Sequence, residues 1–548
     1  MEGIEHMSED MYIFSTRGFW HELNIPGMLI RQKAEYYFHG IAGLLEREQA
    51  IALLLGITEE IQMNMLIKLE SDDVRIVLIN LMKILDEVYH FYGRQKRARA
   101  KLVEMNIKEG PLVDRLEENR NIARNIIDAV NIWVENCLIH QNIESGYEAN
   151  TAFDINEDLM VDMYIYGLAS QALSLLTLSK RNPSAGFKGL LIDSEKNTIA
   201  EVQKEHPIIF FNTLLTGNQN ILEPAYRLDD ANATPFGVGF KETYGLEFLY
   251  FLGTIMYFQK AVLREGKCGL TVISKEQFID EISHATRPSI NPACILQHFT
   301  LTRETLETQR RPGEPIIWIM GANKYRYELC PYLMLDNSKV LISYCALEQA
   351  KQLWCALYSN GGMCYSNTED ALTEAINMTN HRLSKRLVEL ILVKLRNHYT
   401  ATFEDVDVRY DRIFNARPDD YGDYDIVFFS KETGELFLIE AKFFSDSFTS
   451  SGLVTDFDKL FGNGRYYEHC RKRYDLVLSE PEKVREFISA DVPVDMHLLF
   501  ISSKPLEVEF QDADKVTTFL SLNIFDKYLE GKLISPDDDS VVRPTIRI

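Results

Sequence analysis

The run ELFLIEAKFF (435–444) constrains the fold most, because it is apolar on both faces of an extended chain yet carries a glutamate and a lysine near its end. Side chains of a strand alternate, so Leu436, Leu438, Glu440 and Lys442 share one face and Phe437, Ile439, Ala441 and Phe443 the other. A strand apolar on both faces belongs inside a sheet covered on both sides. An unpaired charge in such a place costs on the order of several kcal/mol, so Glu440 and Lys442 must pair, meet water or bind an ion. The preceding run, DIVFF, begins with Asp425 where the chain leaves a turn. If the two runs are antiparallel neighbours joined through SKETGE, Asp425 lies beside Glu440.

The flanking segments give this hairpin its setting. TEAINMTNHRLSKRLVELILVKLRNHY predicts a helix with Leu383, Leu387, Leu390, Ile391 and Leu395 along one side. FEDVDVRYDRIF reads as a strand and ARPDDYGD as a turn. After the hairpin, helices run through DFDKLF and RYYEHCRKRYDLVL, interrupted by Gly462 and Gly464, and VDMHLLFIS reads as a further strand. The element order is helix, three strands, helix, strand.

A chain of 548 residues is too long for one ordinary core, so a multidomain α plus α/β architecture is expected. Residues 1–180 read as a mostly helical domain from the three- and four-residue apolar spacing of LLEREQAIALLLGITEEIQMNMLIKL and DDVRIVLINLMKILDEVYHFYG. Residues 181–365 form a mixed, loop-rich α/β region packing with it, in which FLYFLGTIMYF (248–258) reads as a buried helix and CGLTVI, EPIIWIMG and KVLISYC as strands. YSNGGMCYSNTED (358–370) marks the main boundary, and 366–548 form the C-terminal α/β domain.

Two carboxylates with a lysine two residues on form a chemical set: oxygen ligands suit Mg²⁺, which keeps several waters and activates one against a phosphodiester, while the lysine orients that water or offsets developing charge. Glu-x-Lys alone is common, and Glu265-Gly-Lys267 and Glu530-Gly-Lys532 occur in this same chain within glycine turns. Only Glu440-Ala441-Lys442 ends an apolar strand and follows an aspartate at the head of another.

Asp425, 14 intervening residues and Glu440-Ala441-Lys442, in that element order, resemble the PD-(D/E)XK nuclease superfamily. The resemblance covers roughly 371–505 and implies a restriction-endonuclease-like domain. It implies that Asp425, Glu440 and the Ala441 carbonyl hold Mg²⁺ or Mn²⁺, that Lys442 assists the attacking water, and that Glu389 on the first helix joins the catalytic set. The chain has Tyr424 where the family signature has proline, and Asp423 competes with Asp425 for the ligand role. On the helix after the catalytic strand, Tyr467, Arg471, Lys472 and Arg473 become candidates for contacting nucleic acid, with Tyr467 and Arg471 at i, i+4. The basic run RQKRARAK (94–101) would extend that track, and Arg310 with Arg311 is a further basic pair.

A net charge of −23 opposes polyanions in general, so nucleic acid requires such local patches. The eight cysteines show no CxxC or zinc-type spacing and read as reduced and buried. The N-terminus lacks the pattern of a secretory signal and no membrane span is expected, so the location reads as cytoplasmic. No phosphate loop, dinucleotide fingerprint, HExxH or GxSxG supports another enzyme class. Two readings stand. One is a metal-dependent endonuclease, DNA ahead of RNA, of the kind often found in bacterial restriction or anti-phage systems, with the helical N-terminal region binding a partner or a second copy. The other is a non-catalytic nuclease-like assembly protein.

Overall fold

The computed structural model describes residues 18–38, 43–71, 74–140, 156–178, 184–186, 189–191, 197–205, 230–264, 269–286, 291–307, 329–361, 371–445, 450–535, 539–543 and 546–547. Arg310, Arg311, the expected strand EPIIWIMG, Glu265 to Lys267, most of the expected boundary segment, Cys268 and Cys364 lie outside them.

Long helices dominate the N-terminal part: Arg47–Ser71, Val74–Glu104, Pro111–His140 and Glu157–Leu178. Val77, Leu81, Leu85 and Val88 of the second recur at helical spacing and are buried. The third and fourth approach so closely at Gly167 that a Cβ there would stand 1.8 Å from the Asn125 carbonyl oxygen, which requires glycine. Among the described residues, one stretch, Arg47–Leu69, is long and apolar enough to cross a membrane. Its Leu54, Ile57, Ile61 and Met65 are buried in the N-terminal core.

The middle region adds a four-stranded sheet in the order Leu270–Ser274, Lys339–Ser343, Tyr332–Asp336, Thr300–Leu301, and the expected helix is found at Phe248–Arg264. Phe251 and Phe258 of that helix are buried, whereas Tyr250 and Met256 face outward, so it is amphipathic. One apolar core runs through both parts, from Phe19 to Ile376. They are fastened by buried Asp86, whose Oδ1 accepts hydrogen bonds from Ser343 Oγ (2.9 Å) and the Cys345 N–H (2.9 Å). Burial pushes the Asp86 carboxyl up to about 8.

In the C-terminal part we number α1 (Ala371–His398), β1 (Phe403–Arg409), β2 (Asp423–Ser430), β3 (Glu435–Lys442), α2 (Ser450–Phe461), α3 (Tyr466–Ser479), β4 (Asp495–Ser502) and β5 (Thr518–Ser521). The sheet order is β5-β4-β3-β2-β1. The first three strands form an antiparallel meander, and β4 and β5 join parallel to β3. This is the expected order of helix, three strands, helices and strand. FEDVDVRYDRIF divides into β1 and a helical turn, Asp411–Phe414. The helix break between α2 and α3 falls at Gly462 to Gly464, with Gly464 at φ +67°.

The alternation along β3 sorts two cores. Phe437, Ile439 and Ala441 pack with Leu383, Leu387, Ile391 and Leu395 of α1. Leu436 and Leu438 pack on the other face with Cys470, Tyr474 and Val477 of α3. The sheet is thus covered on both sides, as its doubly apolar strand demands. Helix α1 does not belong to this part alone: Leu372 and Ile376 at its start are buried in the N-terminal core. A short helix of the middle region, Asn197–Glu205, also docks here, placing Val202 in the α1-side core and pairing Glu201 and Glu205 with Lys527.

Candidate active site

The β2–β3 ladder ends at Ile426 opposite Ile439, and the next step sets Asp425 against Glu440. Beyond that point the Asp425 side chain continues the ladder in place of backbone, its Oδ2 accepting the Ala441 N–H at 2.7 Å. Lys442 Nζ lies 3.2 Å from the same oxygen and 2.7 Å from Glu440 Oε1. Three of the expected residues therefore converge at one point, on the α3 face of the sheet. By contrast, the Glu530-Gly-Lys532 sequence forms a surface turn in which Lys532 reaches back 2.7 Å to Glu530.

Glu440 is buried, and its second oxygen, Oε2, is ion-paired with Arg473 Nη2 from α3. Arg473 is itself buried, donates through Nη1 to the Tyr421 carbonyl at 2.9 Å, and stands 5.8 Å from the centre of the Tyr424 ring. The Tyr424 hydroxyl donates to the Arg473 carbonyl at 3.1 Å. Tyr424 is thus part of the arginine's seat.

Electrostatics follow from this packing. Burial, followed by the like charge of Glu440, lifts the Asp425 carboxyl to about 6, against the pull of Lys442 and the Ala441 N–H. Burial opposes the charge on Lys442, but the Glu440 and Asp425 carboxylates outweigh it and hold the ammonium above its ordinary range. Burial likewise opposes the charge on Arg473, but Glu440 together with its other neighbours holds the guanidinium above its ordinary range.

Asp423 does not share these contacts. It is exposed and stands opposite Arg409 in the β1–β2 register. Its carboxylate, with those of Asp407 and Asp425, forms a group whose oxygens lie within 4.8 Å of one another. The sequence does not single out Asp407, whose place near Asp425 depends on a register set across the long connection between β1 and β2. Glu389 is brought elsewhere: it lies on α1, which covers the opposite face of the sheet, and its exposed carboxylate pairs with Arg386 at 2.9 Å.

The basic candidates are largely engaged within the protein. Arg471 contacts Asp475 (2.9 Å), Asp512 (3.1 Å) and Asp514 (3.1 Å), and the Tyr467 hydroxyl donates to Asp512 at 3.0 Å. Lys472 is exposed and pairs with Glu468 at 2.8 Å. In the 94–101 run, Arg94 pairs with Glu22 at 2.6 Å, while Arg99 is buried and donates to the Ile107 carbonyl at 3.2 Å. The alternation of a basic surface helix gave no sign that Arg99 and Arg473 turn inward.

No protein-family model, curated protein or solved structure matches the chain.

Proposed function

We propose that the chain is a divalent-metal-dependent nuclease whose C-terminal part is a restriction-endonuclease-like domain of the PD-(D/E)XK type. The observation that carries this reading is the convergence of Asp425, Glu440 and Lys442 where an antiparallel meander meets a parallel strand. The donor set suits Mg²⁺ or Mn²⁺: Asp425, Glu440 and the Ala441 carbonyl would supply hard oxygen ligands. A metal held there supplies a water activated for attack on phosphorus. Lys442, already between the two carboxylates, is placed to orient that water, and its raised pKa keeps it a cation rather than a base.

The substrate class is a nucleic-acid phosphodiester, with DNA ahead of RNA, and the cellular role is that of an effector in restriction or anti-phage defence. The chain's net charge of −23 makes binding depend on local basic groups and hence on low salt or a partner. The helical N-terminal part is the proposed partner-binding or self-associating element.

The second reading, a nuclease-like assembly domain without catalysis, draws on one observation: Lys442 and Arg473 together balance both carboxylates. Cleavage of plasmid, linear duplex, single-stranded DNA and RNA in Mg²⁺ or Mn²⁺ discriminates the two. Wild-type cleavage that disappears in Glu440→Ala and Lys442→Ala, with nucleic-acid binding retained, supports the enzyme. Absence of both cleavage and calorimetric metal binding supports the assembly protein.

A further inference from the structure

Four charged groups meet at the end of β3, two carboxylates and two cations, with the Asp407 and Asp423 carboxylates beside Asp425. Both Glu440 oxygens are engaged, Oε1 by Lys442 and Oε2 by Arg473, and Asp425 Oδ2 is taken by Lys442 and the Ala441 N–H. In the contacts described, Asp425 Oδ1 is the one oxygen of the pair left open. A divalent ion that takes a Glu440 oxygen competes with the cations already there, because a guanidinium kept on the same buried carboxylate repels it and draws away ligand charge.

The arginine's placement makes it the cation that yields. Lys442 belongs to the same strand as Glu440, and its half-buried ammonium bridges both carboxylates. Arg473 comes from α3, and its Nε is buried without a hydrogen-bond partner, so the guanidinium is incompletely satisfied where it stands.

We propose that Arg473 is a positioning residue that holds Glu440 as its counter-ion in the metal-free protein and competes with a divalent metal for it, so that metal loading is coupled to the seating of α3 on the sheet. This rests on the reading of Asp425 and Glu440 as the metal pair. Anything that draws the guanidinium away, above all a substrate phosphate, then favours metal binding, and metal and nucleic acid load together.

The test is Mn²⁺ titration calorimetry on the full-length wild type, Arg473→Gln and Arg473→Lys, with circular dichroism to establish folding. Arg473→Gln is expected to bind Mn²⁺ at least about tenfold more tightly than wild type, and Arg473→Lys, which keeps the charge, within about threefold of it. An unchanged or weaker affinity in folded Arg473→Gln overturns the proposal. If that variant does not fold, the wild type decides: the ¹⁵N-arginine side-chain signal identified as Arg473 by its loss in Arg473→Lys shifts on Mg²⁺ saturation, and a signal that stays in place overturns the proposal. Cleavage abolished by Glu440→Ala, together with an unaltered Mn²⁺ affinity in Arg473→Gln, removes the role of Arg473 and leaves the nuclease standing. No Mn²⁺ binding by any form, with no cleavage, removes both.

Discussion

Replacing Asp425 by asparagine should stabilise the meander, whatever it does to chemistry. The carboxyl is raised from 3.8 to about 6 and its side chain is 16% exposed, so solvent relieves little of the penalty. By linkage, a rise of about two units corresponds to about 3 kcal/mol of destabilisation once the group is ionised in both folded and unfolded states. The sign follows from proton counts. Between about pH 4 and pH 6 the folded protein retains a proton that the unfolded chain releases, so stability falls as pH rises through that window. The penalty is about 0.5 kcal/mol at pH 4, about 1.6 at pH 5 and about 3 at pH 8. Asparagine keeps an acceptor for the Ala441 N–H and carries no charge. The chain's tryptophans lie at 20, 133, 318 and 354, none in the C-terminal part, so amide hydrogen exchange of peptides covering 424–444, in EDTA, is the suitable assay. Asp425→Asn should exchange more slowly than wild type by up to about 100-fold at pH 8 and about tenfold at pH 5. Equal or faster exchange at pH 8, or a difference that grows as pH falls, would refute the reasoning.

Further outcomes are expected elsewhere in the chain. Glu389→Ala should leave cleavage and Mn²⁺ affinity within about twofold of wild type, because its carboxylate lies on the helix across the sheet from the cluster; a large loss in a cleavage assay would place it at the site after all. Lys504 and Asp456 form a buried pair 2.7 Å apart, so Asp456→Ala should cost roughly 3–5 kcal/mol by chemical denaturation, with much of it recovered in the Asp456→Leu, Lys504→Met double variant. A Cβ at Gly239 would stand 2.6 Å from the Ala371 carbonyl oxygen, so Gly239→Val should force the helix Pro235–Tyr244 off α1 and cost about 1–3 kcal/mol, read as a lowered thermal midpoint.

The cluster at the end of β3 was readable from the sequence because strand periodicity and a short hairpin fix geometry locally. Period two put Glu440 and Lys442 on one face, and the SKETGE turn fixed the register that brought Asp425 to them. What was not readable depends on how distant elements dock. The apolar stripe of α1 predicted that it packs on a sheet, but not on which side, and the side removes Glu389 from the cluster. The run Arg471, Lys472, Arg473 looks uniform in sequence, yet neighbouring positions on a helix point about 100° apart. Arg471 meets three aspartates, Lys472 pairs with Glu468 at the surface and Arg473 meets Glu440. Composition suggests a boundary near 366, but the sharing of α1 between two cores is a matter of packing that composition does not record.

That shared helix bears on how the protein can be divided or inherited. Its 28 residues make a rod of about 42 Å with one end sunk in each core. A cut before it strips Leu372 and Ile376 of their surroundings, and a cut within it takes a face from one core or the other. The C-terminal part is therefore no detachable cassette. Exchange of modules between chains would have to carry the rod and its first socket along, and a tilt imposed at one end must appear at the other.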